Sequence, residues 1–389
     1  MSGAPLPELG GRTTLMAART PHLDRMVARG IGGWSLNTPA GFYPGSDIAN
    51  LGVLGYDVRQ SYSGRSPLEA AAMGVSLAPE DVAFRCNLVT LREDFQVMDD
   101  FSAGHITSEE AAELIRFVDE RLGTAALRFH PGVSYRHLLV WHGGRDGALR
   151  CVPPHEITDR PVAGSLPEGA DAEPILALMR ASWALLADHP INRSRVERGL
   201  KPANSLWLWG FGRKPRLTPF QERYGLSGGM ISAVDLMRGI AVHLGMEVFL
   251  VEGATGWIDT NYEGKAAACL AGLERHDLMF VHVESPDEAG HAGRVDYKIK
   301  AMEDFDARLV GPVLAALEAR GTPFRAVALP DHPTPVALKT HTSDPVPFAM
   351  MGEGIVPDDN TAYDEGLLRT ASRHFDPGIQ LMPYFLGRG

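Results

Sequence analysis

The amino-acid sequence predicts an α/β fold, namely a doubly wound, mostly parallel sheet with an inserted α+β domain. From about residue 202 onward, apolar strand-like stretches alternate with amphipathic helical ones, which is typical of a parallel sheet covered by helices on both faces. Between residues 63 and 201 the predicted order is strand, strand, helix, strand, strand, which describes a small α+β unit. We therefore expect a core built from residues 1–62 and 202–389, with residues 63–201 inserted as a lid or substrate domain.

The first predicted elements of the core are two helices, over residues 21–30 and residues 48–56. The apolar residues of the first helix fall on one face at helical spacing. A Pro-Gly turn precedes the second helix, and Ser46 or Asp47 could cap it, because their side-chain oxygens can accept its free N–H groups. Ser46 is therefore expected at the N-terminus of a helix.

The remaining elements are predicted from apolar periodicity and from the turn residues between them. In the inserted domain we expect strands at residues 83–91, 95–100, 126–132 and 135–143, and a helix at residues 108–123 capped by Ser108. In the core we expect strands within residues 204–211, 247–253, 277–285 and 324–332, and helical stretches within residues 228–245, 262–276 and 296–321.

The composition limits the classes of function. The 389 residues carry 37 Lys and Arg against 48 Asp and Glu, a net charge of −11, while 44% of residues are hydrophobic and 22% are charged. A sizeable core is expected from this mixture, whereas nucleic acid and anionic membranes are excluded as main ligands because both need a basic surface.

The number of cysteines and the length of the apolar runs indicate the cellular compartment in which the protein is expected. Cys86, Cys151 and Cys269 lie far apart, so the sequence predicts neither a disulfide framework nor a paired-cysteine metal site. No apolar run approaches the roughly 18 residues of a membrane span, and the first residues do not follow the pattern of a signal peptide. We expect a cytoplasmic protein.

Two pairs of acidic and histidine residues follow predicted apolar strands. Asp287 and His291 lie four residues apart, Asp331 lies beside His332, and His341 follows nine residues later. Ligands of open α/β sheets bind beyond the carboxyl ends of the strands, where both pairs are expected. Carboxylate and imidazole donors without thiolates suit Mn²⁺, Mg²⁺ or Zn²⁺. A single such pair is more often a turn or a cap, but two pairs with a third histidine favour a metal site.

Ser46 is a candidate nucleophile. A serine before a helix is usually an N-cap, and attack by its oxygen would need a lowered hydroxyl pKa, which a bound metal ion can provide. The residues around Ser46 do not form a GxSxG elbow, which disfavours a hydrolase of the Ser-His-Asp type.

Long motifs across nearly the whole chain resemble one known family. The sequence is similar to the archaeal-type, 2,3-bisphosphoglycerate-independent phosphoglycerate mutases of the alkaline phosphatase superfamily; a bacterial branch with the same pattern has been proposed to be a homoserine kinase. The resemblance rests on PGSDIANLGVLGYD, SGRSPLEAAAMGV, DVAFRCNLVTL, DFSAGHI, HPGVSYRHLLVW, PANSLWLWG, GATGWIDTNYEGKA, HVESPDEAGHAG and LPDHPTPVALKTHTSDPVPF.

The resemblance implies an alkaline-phosphatase-like core and two divalent metal ions, most plausibly Mn²⁺, with no 2,3-bisphosphoglycerate as cofactor. It implies that Ser46 is transiently phosphorylated while a small metabolite, 3- or 2-phosphoglycerate, is isomerised in glycolysis or gluconeogenesis. The ligands of one ion would be Asp287, His291 and His341, and those of the other Asp331, His332 and Ser46. Substrate phosphate and carboxylate would be bound by Arg65, Arg85, Arg136 and Lys265, with Asp259, Asn261 and His105 as weaker candidates.

The sequence departs from the family at its start. Family members begin with a buried apolar strand that ends in Asp-Gly, and that aspartate is a ligand of the second ion. The present sequence starts at what resembles the position just after Asp-Gly. Either the start codon lies further upstream, which we favour, or the strand and its ligand have been lost; Asp47 or Asp24 could then take the place of that ligand.

Three other functions use the same residues. A homoserine kinase would transfer phosphate from a nucleotide, but the sequence does not contain the GxxxxGK[ST] loop that cradles a triphosphate. A metal-dependent phosphatase would release inorganic phosphate, and an inactive family member would bind a phosphorylated metabolite without turnover. The mutase remains the leading hypothesis.

Overall fold

The computed structural model describes residues 1–388. It divides into two compact units, which we call the core unit and the inserted unit. The core unit consists of Met1–Tyr62 together with the chain from Arg216 onward, and the inserted unit is Ser63–Pro215.

The helices and strands are numbered along the chain. The first segment of the core unit contains α1 (Thr14–Ala17), α2 (Pro21–Ala28), β1 (Ile31–Ser35), α3 (Ser46–Val53) and α4 (Val58–Ser61). The inserted unit contains α5 (Ser66–Ala72), β2 (Val82–Arg92), β3 (Val97–Asp100), α6 (Ser108–Leu122), β4 (Leu127–His130), β5 (Arg136–Trp141), α7 (Glu173–Ala187), α8 (Pro190–Glu197) and β6 (Ser205–Arg213).

The second segment of the core unit completes the fold. It contains α9 (Phe220–Tyr224), β7 (Gly228–Ile231), α10 (Asp235–His243), β8 (Glu247–Phe249), α11 (Tyr262–Gly272), β9 (Leu278–Val281), α12 (Ser285–His291), α13 (Val295–Phe305), α14 (Gly311–Arg320), β10 (Arg325–Ala328), β11 (Val346–Gly352), α15 (Leu367–Thr370), β12 (Arg373–Phe375) and α16 (Leu381–Phe385). A π-helical turn, Asp306–Val310, joins α13 to α14.

The strands of the core unit form two sheets. One has the order β8-β7-β9 with both pairings parallel. The other has the order β10-β11-β1-β12, in which β11 runs antiparallel to β10 and β1 while β12 runs parallel to β1. Strand and helix alternate through most of this unit, so the predicted α/β class is confirmed.

Helix α2 illustrates how a sequence pattern becomes packing. Leu23, Met26 and Val27 are all buried, as their helical spacing predicts. The first turn of α2 leaves free N–H groups, and the carboxylate of the buried Asp306 accepts hydrogen bonds from the backbone N–H groups of His22 and Leu23 at 3.1 and 2.8 Å. The apolar stripe and the distant carboxylate together fix the helix against the core.

The inserted unit is built around β2, which is buried along ten of its eleven residues. β2 pairs antiparallel with β3, β5 and β6, and β4 pairs with β5. The predicted order of strand, strand, helix, strand, strand is therefore present in β2, β3, α6, β4 and β5. We observe no helix within residues 1–388 that is long and apolar enough to cross a membrane.

Two local expectations for the inserted unit need correction. The sequence placed residues 204–211 in the core, but β6 belongs to the inserted unit because its apolar face joins the cluster packed around β2. The cap of α6 is Thr107, whose hydroxyl accepts from the Glu110 N–H at 3.3 Å. Ser108 instead accepts from the Ser134 N–H through its side chain.

Candidate active site

The candidate site lies in the core unit, where polar side chains follow the ends of two strands. β10 leads directly to Asp331 and His332, and β9 leads to α12, which carries Asp287 and His291. Residues four apart on a helix lie on one face, so α12 presents its carboxylate and imidazole together. These are the strand-end positions at which a site of this fold class is expected.

The first part of the site, which we call the three-residue cluster, consists of Asp287, His291 and His341. The Nε2 atoms of His291 and His341 are 2.8 Å apart, and both approach Asp287 Oδ2, at 3.1 and 3.5 Å respectively. Within residues 1–388, this is the one group of at least three His, Cys, Asp and Glu side chains whose potential ligand atoms all lie within 4.8 Å of one another.

The tautomer of His291 is set from outside the cluster. Its Nδ1 lies 3.0 Å from the carbonyl oxygen of Lys339, an acceptor, so Nδ1 carries a proton and donates to it. In the neutral ring, Nε2 then has a free lone pair that faces His341 and Asp287. Histidines that bind metal ions usually donate their other ring N–H to such an acceptor, which fixes the orientation of the ring.

Charge interactions perturb the titration of the cluster. Burial opposes ionisation of Asp287, but hydrogen bonds from His291 and His341 outweigh it and hold the pKa of this carboxyl well below its usual range. The hydrogen bond to Asp287 likewise raises the pKa of His291 to about 9. A cation is therefore favoured at this point, either as a proton on His291 or as a metal ion.

The residues present fit a divalent metal ion. Two imidazole nitrogens and one carboxylate oxygen converge, which is the donor set of Zn²⁺ or Mn²⁺ sites, and the two Nε2 atoms are too close to both carry protons. The cluster thus supplies three protein ligands and leaves further coordination positions to other groups.

The second part, which we call the serine group, consists of Ser46, Asp331 and His332. Ser46 Oγ lies 3.0 Å from His332 Nε2, which in turn lies 3.4 Å from Asp331 Oδ2. The Asn50 side chain donates to Asp331 Oδ2 at 2.9 Å and to the Ser46 carbonyl at 2.8 Å. Because Asn50 lies one helical turn after Ser46, it fixes Asp331 relative to the start of α3.

The expected capping role of Ser46 and Asp47 is wrong. The N-cap of α3 is Gly45, and Ser46 is the first helical residue, with no side-chain cap. The Ser46 hydroxyl therefore faces His332 rather than the helix N–H groups. The Asp47 carboxylate instead accepts a hydrogen bond from the Tyr62 hydroxyl, and Asp24 accepts one from the Tyr363 N–H, so the contacts of these two aspartates do not support either as the substitute metal ligand.

The two parts of the site touch. The imidazole rings of His332 and His341 lie 3.8 Å apart between centroids. The Thr334 hydroxyl donates to Asp287 Oδ1 and lies 3.4 Å from His332 Nδ1. Burial lowers the pKa of His332, so its ring is neutral and can accept the Ser46 proton or offer a lone pair.

Three further residues proposed for substrate binding lie in the core unit, and their contacts differ. Lys265 is fully buried and donates from Nζ to the His282 carbonyl at 2.9 Å, and burial lowers its pKa to about 8. Asn261 caps α11 by accepting from the Gly264 N–H. Asp259 accepts from the Thr255 hydroxyl. The contacts of Asn261 and Asp259 are with residues close in sequence, whereas Lys265 is a buried amine.

The remaining candidates lie in the inserted unit, where cationic side chains meet. Arg65 and Arg85 both contact Glu69, with nitrogen to oxygen distances of 3.2 and 2.9 Å. Burial lowers the pKa of Arg85, and the charges of Arg65 and Arg136 lower it further. His105, the weaker candidate of this unit, has a φ of 51° and packs edge-on against Tyr135. One carboxylate beside three guanidinium groups leaves a net positive charge, which favours an anionic ligand.

Sequence reasoning missed Asn50, Thr334 and His282. Asn50 and Thr334 lie within the motifs around Ser46 and His332, and their spacing of four and two residues could have drawn attention to them. His282 follows β9 directly, with its Nδ1 3.1 Å from Ser232 Oγ and its Nε2 3.3 Å from Glu284. Its position at a strand end was the available signal.

A hydroxyl, two carboxylates and three imidazoles meet in the core unit, and groups of these types are the ones that metal-assisted group transfer uses. Comparison with known proteins narrows this class. The family model for 2,3-bisphosphoglycerate-independent phosphoglycerate mutase matches residues 28–192. A relative from Geobacter sulfurreducens, named "Probable 2,3-bisphosphoglycerate-independent phosphoglycerate mutase", is 52% identical, with 100% of this chain and 98% of the relative covered.

Further relatives agree. The 2,3-bisphosphoglycerate-independent phosphoglycerate mutase of Methanosarcina acetivorans is 50% identical over 96% of this chain and 94% of its own. Among solved structures, the cofactor-independent phosphoglycerate mutase of Thermoplasma acidophilum has a TM-score of 0.67 at 25% identity and is covered to 97%, with 100% of this chain covered. A protein from Pyrococcus horikoshii reaches a TM-score of 0.83 at 29% identity, over 100% of this chain and 95% of its own. The chain belongs to the 2,3-bisphosphoglycerate-independent phosphoglycerate mutase family.

Proposed function

We propose that this protein is a metal-dependent phosphoglycerate mutase that interconverts 3-phosphoglycerate and 2-phosphoglycerate without 2,3-bisphosphoglycerate. The observation that carries the proposal is the contact between Ser46 and His332 beside the three-residue cluster, in a chain of this family. A nucleophilic hydroxyl and a cluster of metal-type donors are the two parts that transfer of a phosphoryl group through the protein requires.

Asp287, His291 and His341 would hold one divalent ion, and Asp331, His332 and Ser46 would contribute to a second. Bound divalent ions lower the pKa of a hydroxyl and neutralise charge on a transferring phosphoryl group. The first set is supported by the convergence of three donors, whereas the second set offers two such side chains and a hydroxyl. The second ion would therefore need a further donor.

Ser46 is proposed as the nucleophile. Its Oγ would attack the substrate phosphorus in line, forming the Oγ–P bond as the bond from phosphorus to the glycerate oxygen breaks. With a divalent ion bound beside Ser46, the lowered pKa of its hydroxyl would let the proton pass to solvent before the attack, and the released glycerate oxygen takes up a proton. In the second half the other glycerate hydroxyl attacks the phosphoserine, and Ser46 recovers its proton.

The position of Ser46 at the start of α3 supports this role. The first N–H groups of a helix have no partner within the helix and attract negative charge, and a phosphoryl group on Ser46 would lie at that end. Asn50 holds the Ser46 carbonyl and Asp331 together from the next turn. The nucleophile is therefore supported by rigid structure rather than by a loop.

We propose that Arg65, Arg85, Arg136 and Lys265 bind the phosphate and carboxylate of the substrate. Arg85 is well suited to this, because it is buried, lies over the Trp209 ring at 4.3 Å and cannot move freely. The lid role of the inserted unit stays a prediction. Water must be kept from the phosphoserine for a mutase to avoid acting as a phosphatase.

The test is to incubate the purified protein with 3-phosphoglycerate and a divalent ion, without nucleotide or 2,3-bisphosphoglycerate. We expect 2-phosphoglycerate, detected by phosphorus NMR after chelation of the metal. Release of inorganic phosphate would indicate a phosphatase instead. Transfer to homoserine only when a nucleotide is added would indicate the kinase, and either result would contradict the proposal.

A further inference from the structure

Thr334 lies between the two parts of the candidate site. It follows Asp331 and His332 in the segment after β10, and it is buried. Its hydroxyl donates to Asp287 Oδ1 in the three-residue cluster and lies 3.4 Å from His332 Nδ1 in the serine group. The way in which one hydroxyl serves both neighbours determines which nitrogen of His332 carries a proton.

Thr334 is held in place by contacts of its backbone and its methyl group. Its N–H donates to the Ser2 carbonyl at 3.1 Å, and its own carbonyl accepts from the buried Lys298 Nζ at 2.6 Å. Its methyl group packs closely on α12, because a Cβ atom at Gly290 would lie only 2.9 Å from Thr334 Cγ2. With the backbone and the methyl group fixed, the hydroxyl keeps its direction.

The hydrogen-bonding capacity of the Thr334 hydroxyl fixes the direction of each contact. A hydroxyl has one hydrogen and two lone pairs, and a carboxylate only accepts, so the hydrogen is directed to Asp287 Oδ1. A lone pair of the hydroxyl is then left for His332, whose Nδ1 contacts it favourably only by donating a proton. Asp287 Oδ1 is 3.9 Å from this Nδ1, beyond hydrogen-bond distance, so the hydroxyl is the nearer acceptor.

The opposite side of the His332 ring favours the other tautomer. Nε2 lies 3.4 Å from Asp331 Oδ2 and 3.0 Å from Ser46 Oγ, and both oxygens can accept a hydrogen bond. A proton on Nε2 would be stabilised by Asp331, but it would occupy the lone pair through which an imidazole binds a metal ion. The contact at Nδ1 therefore decides whether the ring can act as a ligand.

We propose that Thr334 is a positioning residue that holds the proton of His332 on Nδ1 and thereby keeps the Nε2 lone pair free for a divalent metal ion. The same hydroxyl holds Asp287 Oδ1, so that Asp287 Oδ2 stays turned toward His291 and His341. One side chain thus prepares a ligand in each part of the site. The consequence for the reaction rests on the proposed function, whereas the position of the proton does not.

The first measurement locates the proton on His332. The metal-free protein, with isotope-labelled histidine ring nitrogens, is examined by NMR at neutral pH, because the nitrogen that carries the proton has a distinct chemical shift. His332→Gln identifies the signals by their loss. We expect the Nδ1–H form in wild type and in Thr334→Ser. In Thr334→Val we expect mainly the Nε2–H form, because the pull of Asp331 is then unopposed.

The second measurement is the affinity for Mn²⁺, determined by isothermal titration calorimetry. Loss of a contact that orients a metal ligand costs about 10- to 100-fold in affinity, so Thr334→Val should bind Mn²⁺ more weakly by about that factor. Thr334→Ser keeps the hydroxyl and should retain most of the affinity. Thr90→Val is the matched control, because Thr90 is also buried and its hydroxyl donates to the Pro202 carbonyl at 2.7 Å in the inserted unit. That control should change neither the tautomer nor the affinity.

Three results would overturn the proposal. They are an Nε2–H form in wild type, an unchanged tautomer in Thr334→Val, and a loss of Mn²⁺ affinity in Thr334→Ser as large as that in Thr334→Val. If Thr334→Val does not fold, Thr334→Ala takes its place, because it differs from Thr334→Ser in the hydroxyl alone.

Both measurements are made without substrate. A protein that gives the expected results but does not interconvert phosphoglycerates would therefore contradict the proposed function and still support the role of Thr334.

Discussion

The three-residue cluster and the serine group lie in contact, yet their donor atoms are engaged differently. In the cluster, the two Nε2 atoms and Asp287 Oδ2 point at one another. Two outside contacts orient them, namely the Lys339 carbonyl at His291 Nδ1 and the Thr334 hydroxyl at Asp287 Oδ1. In the serine group, Asn50 already donates to Asp331 and the Ser46 hydroxyl already contacts His332. The cluster is therefore arranged to hold a cation, whereas the serine group is arranged to hold a reactive hydroxyl in place.

The largest effect is expected from loss of the Ser46 hydroxyl, which should abolish the reaction without changing metal binding. Ser46→Ala removes the nucleophile, so we expect interconversion of phosphoglycerates to fall by on the order of 10³-fold or more, while metal content stays unchanged. Ser61→Ala is the matched control, because Ser61 lies on α4 and its hydroxyl contacts the Asp57 carbonyl. Activity retained in Ser46→Ala would show that the serine group does not carry the reaction.

The next largest effect is expected on metal affinity when one residue of the three-residue cluster is removed. His291→Ala removes one of three converging donors, so divalent metal affinity should fall by more than the about 10- to 100-fold that loss of an outer contact costs, and activity should fall with it. Isothermal titration calorimetry with Mn²⁺ or Zn²⁺ measures the affinity. His374→Ala is the control, since His374 stacks on Trp34 outside the cluster. Unchanged affinity in His291→Ala would refute the ligand assignment.

A smaller effect is expected at Asn50, which supports the serine group without being a ligand. Asn50→Ala removes the donor to Asp331 Oδ2, while the His332 N–H still donates to Oδ1, so we expect a loss of about 1–3 kcal/mol in the free energy of unfolding. The rate should fall about tenfold through kcat rather than KM, because the nucleophile is mispositioned while substrate groups are untouched. Asn360→Ala serves as the control, because the Asn360 side chain accepts from the Thr370 hydroxyl rather than contacting the serine group. An effect confined to KM would mean that Asn50 binds substrate instead.

The smallest effect is a pH dependence of the metal-free protein. The pKa of His291 is raised from 6.5 to about 9 by Asp287, so this group stabilises the fold fully below pH 6.5 and loses that contribution as pH rises toward 9. The buried Met1 amino group, whose pKa burial lowers to about 5, acts in the opposite direction up to pH 8, so the test is the difference between the two proteins. The difference in thermal stability between wild type and His291→Ala should shrink as pH rises from 6.5 to 8. Above pH 8, Lys265 and Lys298 act in the opposite direction, because burial lowers the pKa of each to about 8.

Bound metal should reverse this behaviour. A metal ion displaces the proton from His291, so metal affinity should rise with pH up to about 9 in wild type. A metal affinity that is independent of pH between 6.5 and 8 would contradict the assignment of His291 as a ligand.

Much of this comparison could be predicted from the sequence. The pairs Asp287 with His291 and Asp331 with His332 follow apolar strands, and strand ends of an α/β sheet meet at one edge. The proximity of the two pairs therefore follows from the apolar strands that precede them and from the topology of the fold. The spacing of four residues between Asp287 and His291 also predicts their common helix face.

Other features depend on partners that are distant in sequence. β6 has the apolar pattern of a core strand, and only its pairing with β2 assigns it to the inserted unit. Asp306 caps α2 across more than 280 residues of sequence, and Asn50 reaches Asp331 across a similar separation. No local signal encodes such contacts, because they arise when the sheet brings the segments together.

The most direct test of the central claim is to trap the phosphorylated protein. Wild type and Ser46→Ala, both loaded with metal, are mixed with 3-phosphoglycerate, quenched within the first turnovers, and analysed by peptide mass spectrometry. We predict a phosphoryl group on Ser46 in wild type, with 2-phosphoglycerate formed, and neither in the variant. Formation of 2-phosphoglycerate by wild type with no phosphate on Ser46, or by Ser46→Ala at the wild-type rate, would contradict the account.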